Sequence, residues 1–192
     1  MDFLSAIKSI AGEECIFCNE MMSDHTTFKV GGPAKYFVVP YRAEDIKKYI
    51  LAAEEYKIPY YVIGNGSNLL VSDKGYDGMI IMLGRDLGNI TVNGDRITAE
   101  AGTSLARLFN TARRHSLSGL EFAAGIPGTL GGACYMNAGA YGGEMKDVLT
   151  KVVTIDRQGN THEYKQGEME LSYRNSIFIR KQEIILSAEM KL

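Results

Sequence analysis

The sequence is poor in the residues that announce chemistry by themselves: three cysteines and three histidines in 192 residues. It also lacks a surplus of either charge, with 21 Lys and Arg against 23 Asp and Glu and a net charge of −2. No broad basic field argues for nucleic acid. No run is long and apolar enough to span a bilayer. The N-terminal MDFLSAIKSIAGEEC carries acidic residues early and has no uninterrupted apolar core, so it does not read as a secretory signal. Cys15, Cys18 and Cys134 are odd in number and read as reduced cytoplasmic thiols. Cys15 and Cys18 form a C-x-x-C pair, but no second ligand pair is visible for zinc, and thiol redox chemistry wants a strand before the pair and a helix after it. His25, His115 and His162 are single and scattered, reading as surface or cap residues. The acidic residues form no pair suited to acid–base work, and Arg113-Arg114 reads as a solvated helix face. No metal and no obligate protein partner is expected, and the expected location is the cytoplasm.

What is present is an ordinary apolar content for a globular chain, 45%, and a clear alternation of patterns. Phe3, Leu4, Ile7 and Ile10 recur at helical spacing and predict a short amphipathic helix. TTFKVGGPAKYFVVP, 26–40, predicts two strands around a Gly-Gly-Pro turn. AEDIKKYILAAEEYKI predicts a helix with Ile46, Tyr49, Ile50 and Ala53 on one face and Glu44 and Asp45 near its positive end, stopped before Pro59. Strands are predicted at 60–63, 69–71 and 79–83. Asn93-Gly94, between the β-rich runs of 90–100, predicts a type I′ hairpin. Thr103 or Ser104 caps a predicted helix to about His115, with Leu105, Leu108, Phe109 and Ala112 inward. A second hairpin is expected from 152–156 and 161–164, and a last strand at 184–192. The pattern is α+β, with a small N-terminal lobe to about Leu83 and a larger second lobe.

Two glycine-rich segments interrupt this pattern. Gly64-Asn65-Gly66-Ser67-Asn68 follows a strand. Its glycines let backbone N–H groups converge into an anion-binding nest, with Ser67 and Asn68 as short donors. Leu69 stands where a dinucleotide fingerprint needs its third glycine, and there is no G-K-[ST], so neither a Rossmann fingerprint nor a P-loop is present. A plain strand-to-strand turn is the alternative. The second segment, LEFAAGIPGTLGGACYMNAGAYGGE (120–144), holds glycines among small apolar residues, as two walls around an extended phosphate-bearing ligand would need. A tightly packed backbone crossing is the alternative.

Five motifs in order, T-T-F-K-V-G-G-P-A (26–34), V-I-G-N-G-S-N-L-L-V (62–71), G-L-E-F-A-A-G-I-P-G-T-L-G-G-A (119–133), N-A-G-A-Y-G-G-E (137–144) and Y-R-N-S-I-F (173–178), strongly resemble the UDP-N-acetylenolpyruvoylglucosamine reductase (UDP-N-acetylmuramate dehydrogenase) family. The resemblance implies the two-lobed FAD-binding module of the vanillyl-alcohol-oxidase type. It implies lobes at 24–84 and 85–192, a separate N-terminal helix region at 1–23, and FAD lying non-covalently between the lobes. By the same resemblance Gly64, Asn65, Gly66, Ser67 and Asn68 take the pyrophosphate. Gly125, Ile126, Pro127, Gly128, Gly132, Asn137, Gly139, Ala140 and Tyr141 line the cofactor. NADPH is the implied co-substrate and hydride donor, and a nucleotide-sugar enol ether the implied acceptor. Arg174 matches the arginine that stabilises the developing enolate-like charge, as a fixed guanidinium near an oxyanion would. Tyr173 matches a neighbour shaping the substrate pocket. Read alone, Arg174 is a surface ion pair, and the glycine loops suit a flavin- or nucleotide-binding module or another flavin oxidase of this fold.

The match stops at Leu192. No S-A-G-S-x-F-K stretch and no H-A-N-F is found, so the family's serine proton donor, its glutamate partner and the C-terminal substrate domain are expected to be absent, and the chain inactive by itself. Ser172 and Ser176 flank Tyr173 and Arg174 without matching the donor. Ser176 is expected to be structural, hydrogen-bonded to local backbone.

Overall fold

A computed structural model describes residues 2–84 and 87–192. Met1, which opens the region expected at 1–23, and Arg85, where the second lobe was expected to begin, lie outside the described residues. The chain divides into two units, one holding the described residues up to Leu87 with Arg157–Gly159, the other Gly88–Asp156 with Asn160–Leu192.

In the first unit, helix α1 (Phe3–Ala11) starts where Asp2 accepts the Ser5 N–H at 2.7 Å, and it buries Phe3 and Ile7. Strands β1 (Ile16–Met21), β2 (Pro33–Val38), β3 (Tyr60–Ile63) and β4 (Tyr76–Met82) form one sheet in the order β1-β2-β4-β3. The first pair is antiparallel and the others parallel. Helix α2 (Ala43–Glu55) buries Ile46, Tyr49, Ile50 and Ala53, the face expected from periodicity. Met22, Ala34, Phe37, Ile63 and Ile80 pack together in the core.

Two expected strands are absent, for one reason. The partner of β2 is β1, not the segment 26–30. Thr26 turns back on itself, its hydroxyl donating to Val30 O and its carbonyl accepting the Lys29 N–H. Residues 69–71 lie in a loop rather than a strand. The backbone beside them is held by irregular bonds, with Gly32 N–H and Gly75 N–H both donating to Ser72 O. A Cβ on Gly32 would sit 2.1 Å from Asp73 O and one on Gly75 2.0 Å from Pro33 O, so these two segments cross with bare backbone.

The second unit is built on an antiparallel five-stranded sheet, β10-β9-β11-β6-β5. Its strands are β5 (Ile90–Asn93), β6 (Arg96–Glu100), β9 (Leu149–Ile155), β10 (Thr161–Lys165) and β11 (Ile184–Lys191). Asn93 pairs with Arg96, so the first hairpin turns on Gly94-Asp95, and only Gly94 has positive φ, at +60°. That is the sign pattern of a II′ turn, one residue later than the expected I′ turn. Ser104 caps α3 (Leu105–Arg114), which buries Leu105, Leu108 and Ala112. A short helix, α4 (Leu130–Tyr135), packs on β11 and β6. The two-residue strands β7 (Gly139–Ala140) and β8 (Gly143–Glu144) and the helix α5 (Ile177–Lys181) complete the unit. Among the described residues no helix is long and apolar enough to cross a membrane.

Each unit carries a carboxylate held low. Burial pushes the Asp45 carboxyl up, but hydrogen bonds from Arg42 and Lys48 outweigh it and the net shift is below 3.8. Glu189 is held below 4.5 by the Thr150 hydroxyl at 2.6 Å, opposed by burial and reinforced by Arg96 at 2.6 Å. A depressed folded-state pKa gives stability that is complete above the unfolded value and is lost as pH falls through the folded one. The melting temperature should therefore hold from pH 7 to about 5 and fall below about pH 4. Thermal melts of Asp45→Asn/Glu189→Gln should show a smaller acid loss than the parent; an equal loss would assign the acid limb to other groups.

Candidate cofactor site

The loop Gly64–Asn68 leaves the end of β3, in the first unit. Gly66 is buried with φ +61°. A Cβ there would stand 2.0 Å from His25 O, and the Gly66 carbonyl accepts the Thr27 N–H at 3.2 Å. The T-T-F segment is thus threaded across the loop, and Gly66 is required by the chain's own backbone. Asn65 and Asn68 are exposed, and Gly64 and Ser67 half-buried. His25 stacks on Phe37 with centroids 4.2 Å apart and pairs with Glu20 at 2.9 Å.

The second segment lies in the other unit. Its first part is laced to residues 101–105: Leu105 N–H donates to Gly128 O, Leu130 N–H to Thr103 O and Gly131 N–H to Ala101 O, all at 2.8–3.0 Å. A Cβ on Gly131 would meet Ala101 Cβ at 2.8 Å, one on Gly143 would meet Phe122 at 2.9 Å, and one on Gly139 Gly143 O at 2.7 Å. These three glycines serve packing. Gly125 and Gly132 differ. Both are exposed, neither has left-handed φ, and an added Cβ would meet nothing within 4 Å at Gly125 and only Thr129 Oγ1, at 3.6 Å, at Gly132. Nothing inside the chain asks for glycine at these two positions. An open cradle that a single Cβ would fill is what close approach of a ligand requires, so these residues fit a bound dinucleotide. Ile126 is half-buried and Pro127 exposed beside them.

Farther along, β7 and β8 make a hairpin whose tip is Tyr141-Gly142, with φ +54° and +86°. Two positive φ values mark a type I′ turn. Its first position holds tyrosine rather than the favoured asparagine or glycine, and that ring is 98% exposed. The Y-R-N-S segment is a second tip. Ser172 and Asn175 exchange both N–H···O bonds at 3.1 Å, leaving Tyr173 and Arg174 between them. Arg174 has φ +51°, its guanidinium stands 5.9 Å from the Tyr173 ring centroid, and Tyr173 is 89% exposed. Left-handed conformations at tyrosine and arginine are strained, and such strain collects where function holds it.

Asn137, which the resemblance groups with the cofactor-lining residues, is 2% exposed with φ +42°. Its amide N–H groups donate to Glu144 Oε2 at 2.6 Å and Ser172 O at 3.1 Å, while Oδ1 accepts the Lys146 N–H at 2.9 Å. Ser176 is structural, but its hydroxyl reaches Tyr135 O at 2.7 Å, 41 residues away, not local backbone. The signal for this network was Asn137 itself, since asparagine tolerates the left-handed region better than most residues. Its partners are long-range and left no mark in the sequence. Cys134 lies in α4, fully buried, and burial pushes its thiol up.

This fold and these loops define a flavin-binding class. The family described as FAD binding domain matches residues 34–165, and the chain belongs to it. The relatives are more particular. UDP-N-acetylenolpyruvoylglucosamine reductase from Syntrophomonas wolfei subsp. wolfei is 51% identical over 179 residues, which take in 93% of this chain and 60% of that protein. The crystal structure of UDP-N-acetylenolpyruvylglucosamine reductase from Thermus caldophilus matches with a TM-score of 0.77 at 37% identity, over 89% of this chain and 60% of that one. A Phl p 4 variant described as a glucose oxidase matches at TM-score 0.74 and 12% identity, over 100% of this chain and 44% of that one, a likeness of fold alone. The chain spans about 60% of the length of the curated relatives it matches. The α+β FAD-binding fold expected from the resemblance is the one found.

Proposed function

We propose that this chain is the FAD-binding part of a cytoplasmic reductase that converts UDP-N-acetylglucosamine enolpyruvate to UDP-N-acetylmuramate for peptidoglycan precursors, with NADPH as hydride donor. The observation that carries the FAD part of this reading is the pair Gly125 and Gly132, glycines facing open space with no internal reason to be glycine. The names of the relatives carry the choice of reaction.

When bound, FAD supplies a two-electron carrier between the two substrates. The chain's own residues do the rest. Gly64–Asn68 take the pyrophosphate with backbone and short side-chain donors. Gly125–Gly128, Gly132 and Gly139–Tyr141 line the cofactor, and Asn137 supports that segment from beneath. The buried Cys134 thiol is a poor nucleophile, which supports a cofactor held without a covalent tether. Arg174 faces the acceptor and stabilises negative charge as it develops, with Tyr173 beside it. A flavin-binding module without chemistry would not need an arginine at a strained, exposed tip, so Arg174 favours the reductase reading. Small molecules are the only partners this reading requires.

The test is the visible absorbance of the purified chain after gel filtration, with released cofactor identified chemically. A flavin band that denaturation releases as FAD is the expected result. A colourless protein that also fails to take up added FAD, in a folded state verified by thermal melting, would count against FAD binding by this chain.

A further inference from the structure

We propose that Asn137 is a positioning residue: it fastens the Tyr173-Arg174 tip to the end of α4 and so fixes where the Arg174 guanidinium stands. The inference rests on the reductase reading for its consequence in catalysis, but its structural part stands on geometry alone.

Among the described residues Arg174 has no carboxylate partner, and its guanidinium stands 5.9 Å from the centroid of the exposed Tyr173 ring. Its side chain is therefore aimed by its backbone. That backbone is a two-residue tip closed by the Ser172–Asn175 pair, and a tip so short has no core of its own. Its two ends are held from one place. The Ser172 carbonyl, which already accepts the Asn175 N–H, also accepts the Asn137 amide. At the other end the buried Ser176 hydroxyl donates to Tyr135 O at 2.7 Å. Tyr135 is the last residue of α4 and Asn137 follows its C-cap, Met136; α4 itself packs on β11 and β6. The second Asn137 donor holds Glu144 in the Tyr141 hairpin, and Glu144 is itself paired with Lys146. One buried amide thus ties both exposed tips to one rigid element. A buried amide with both donors satisfied specifies one arrangement; losing it leaves Ser172 O with the Asn175 N–H and Glu144 with Lys146, but removes the one group that joins the two tips.

The experiment is limited trypsin digestion of the 192-residue chain, reading cleavage after Arg174 by mass spectrometry against cleavage at the other exposed lysines and arginines. Asn137→Gly keeps the left-handed backbone but removes the side chain. It should speed cleavage after Arg174 fivefold or more and leave the other sites within twofold. Asn137→Asp/Glu144→Gln restores an amide–carboxylate pair to the hairpin but gives Ser172 O no donor from position 137, so cleavage after Arg174 should stay fast. Glu144→Gln alone, which leaves Asn137 on Ser172, should cleave like the parent. Ser176→Ala loosens the far end and should act in the same direction as Asn137→Gly should the latter fold poorly. Unchanged cleavage in Asn137→Gly and Ser176→Ala, or acceleration at all sites alike, overturns the proposal.

The catalytic consequence is read in this sequence joined to the remaining length of its relatives. There Asn137→Gly should lower kcat about tenfold with the KM for NADPH unmoved. A faster cut after Arg174 with kcat unchanged would overturn the link to Arg174. A parent protein that neither binds FAD nor turns over would sink the reductase reading instead, and the cleavage contrast would stand apart from it.

Discussion

Gly66→Ala should destabilise the first unit by at least about 3 kcal/mol, while Gly125→Ala should leave the melting temperature level or slightly raised and weaken FAD binding tenfold or more. The two substitutions are chemically identical and lie in the two loops that the sequence marks alike. Their surroundings differ. At Gly66 the methyl would stand 2.0 Å from a carbonyl oxygen of the crossing His25 segment, far inside contact distance, and the obstacle is backbone rather than a side chain that can swing away. The φ of +61° adds the left-handed penalty of roughly 1–2 kcal/mol for a residue with a Cβ. Forcing the segments apart would also break the Thr27–Gly66 hydrogen bond and add a typical overpacking loss of about 1–3 kcal/mol. At Gly125 neither cause operates. Alanine there should even gain about 0.4–1 kcal/mol by reducing the freedom of the unfolded chain. The expected harm is confined to the ligand, because the methyl fills space a flavin nucleotide needs. Thermal melts and FAD titration of both variants and of Gly132→Ala check this. If Gly125→Ala and Gly132→Ala bind FAD as tightly as the parent, the open glycines do not face the cofactor.

That contrast also explains which part of the fold was legible. The helices α2 and α3, the strand β3 and the β9–β10 hairpin were readable because each is written in local periodicity and local turn chemistry. The edge strand β1 was not. Its side chains are mostly exposed, so it carries no alternation. Segments 26–30 and 69–71, the first rich in β-branched residues and the second apolar, read as strands, yet nearby backbone is committed to crossings that depend on Gly31, Gly32 and Gly75, contacts that connect residues some 40 positions apart. The candidate site divides in the same way. Glycine-richness was visible, but a sequence does not distinguish a glycine required by packing, such as Gly66, Gly131 or Gly143, from one that opens toward a ligand. Only the position of the nearest atom decides. The resemblance groups Asn137 with the cofactor-lining residues. The partner that explains its burial, the Ser172 carbonyl, is 35 residues away.

Arg174→Gly should make the protein more stable and, on the proposed reductase reading, turnover far slower. The tip places arginine where a turn with positive φ at its second central residue favours glycine or asparagine. Relief of that strain is worth roughly 1–2 kcal/mol, partly offset by the greater freedom of glycine in the unfolded chain, so a net gain of about 1 kcal/mol is expected. Among the described residues Arg174 has no salt bridge to lose, only the Tyr173 ring 5.9 Å from its guanidinium. Turnover should fall about 10²–10³-fold in the polypeptide extended to its relatives' length, the loss typical of removing one group that stabilises developing oxyanion charge. Arg174→Asn should share the stability gain and the activity loss, since asparagine also tolerates the left-handed region. Arg174→Lys keeps a charge and the strain, so it should match the parent in stability and fall between the two in rate. Thermal melts beside steady-state kinetics separate these outcomes. A rate loss without any gain in stability would mean that Arg174 relaxes elsewhere in solution. A gain in stability with full activity would remove Arg174 from the chemistry and leave its strain without a functional reason. The two effects are expected to run in opposite directions because a residue that held the tip only for folding would not be an arginine in a glycine's conformation.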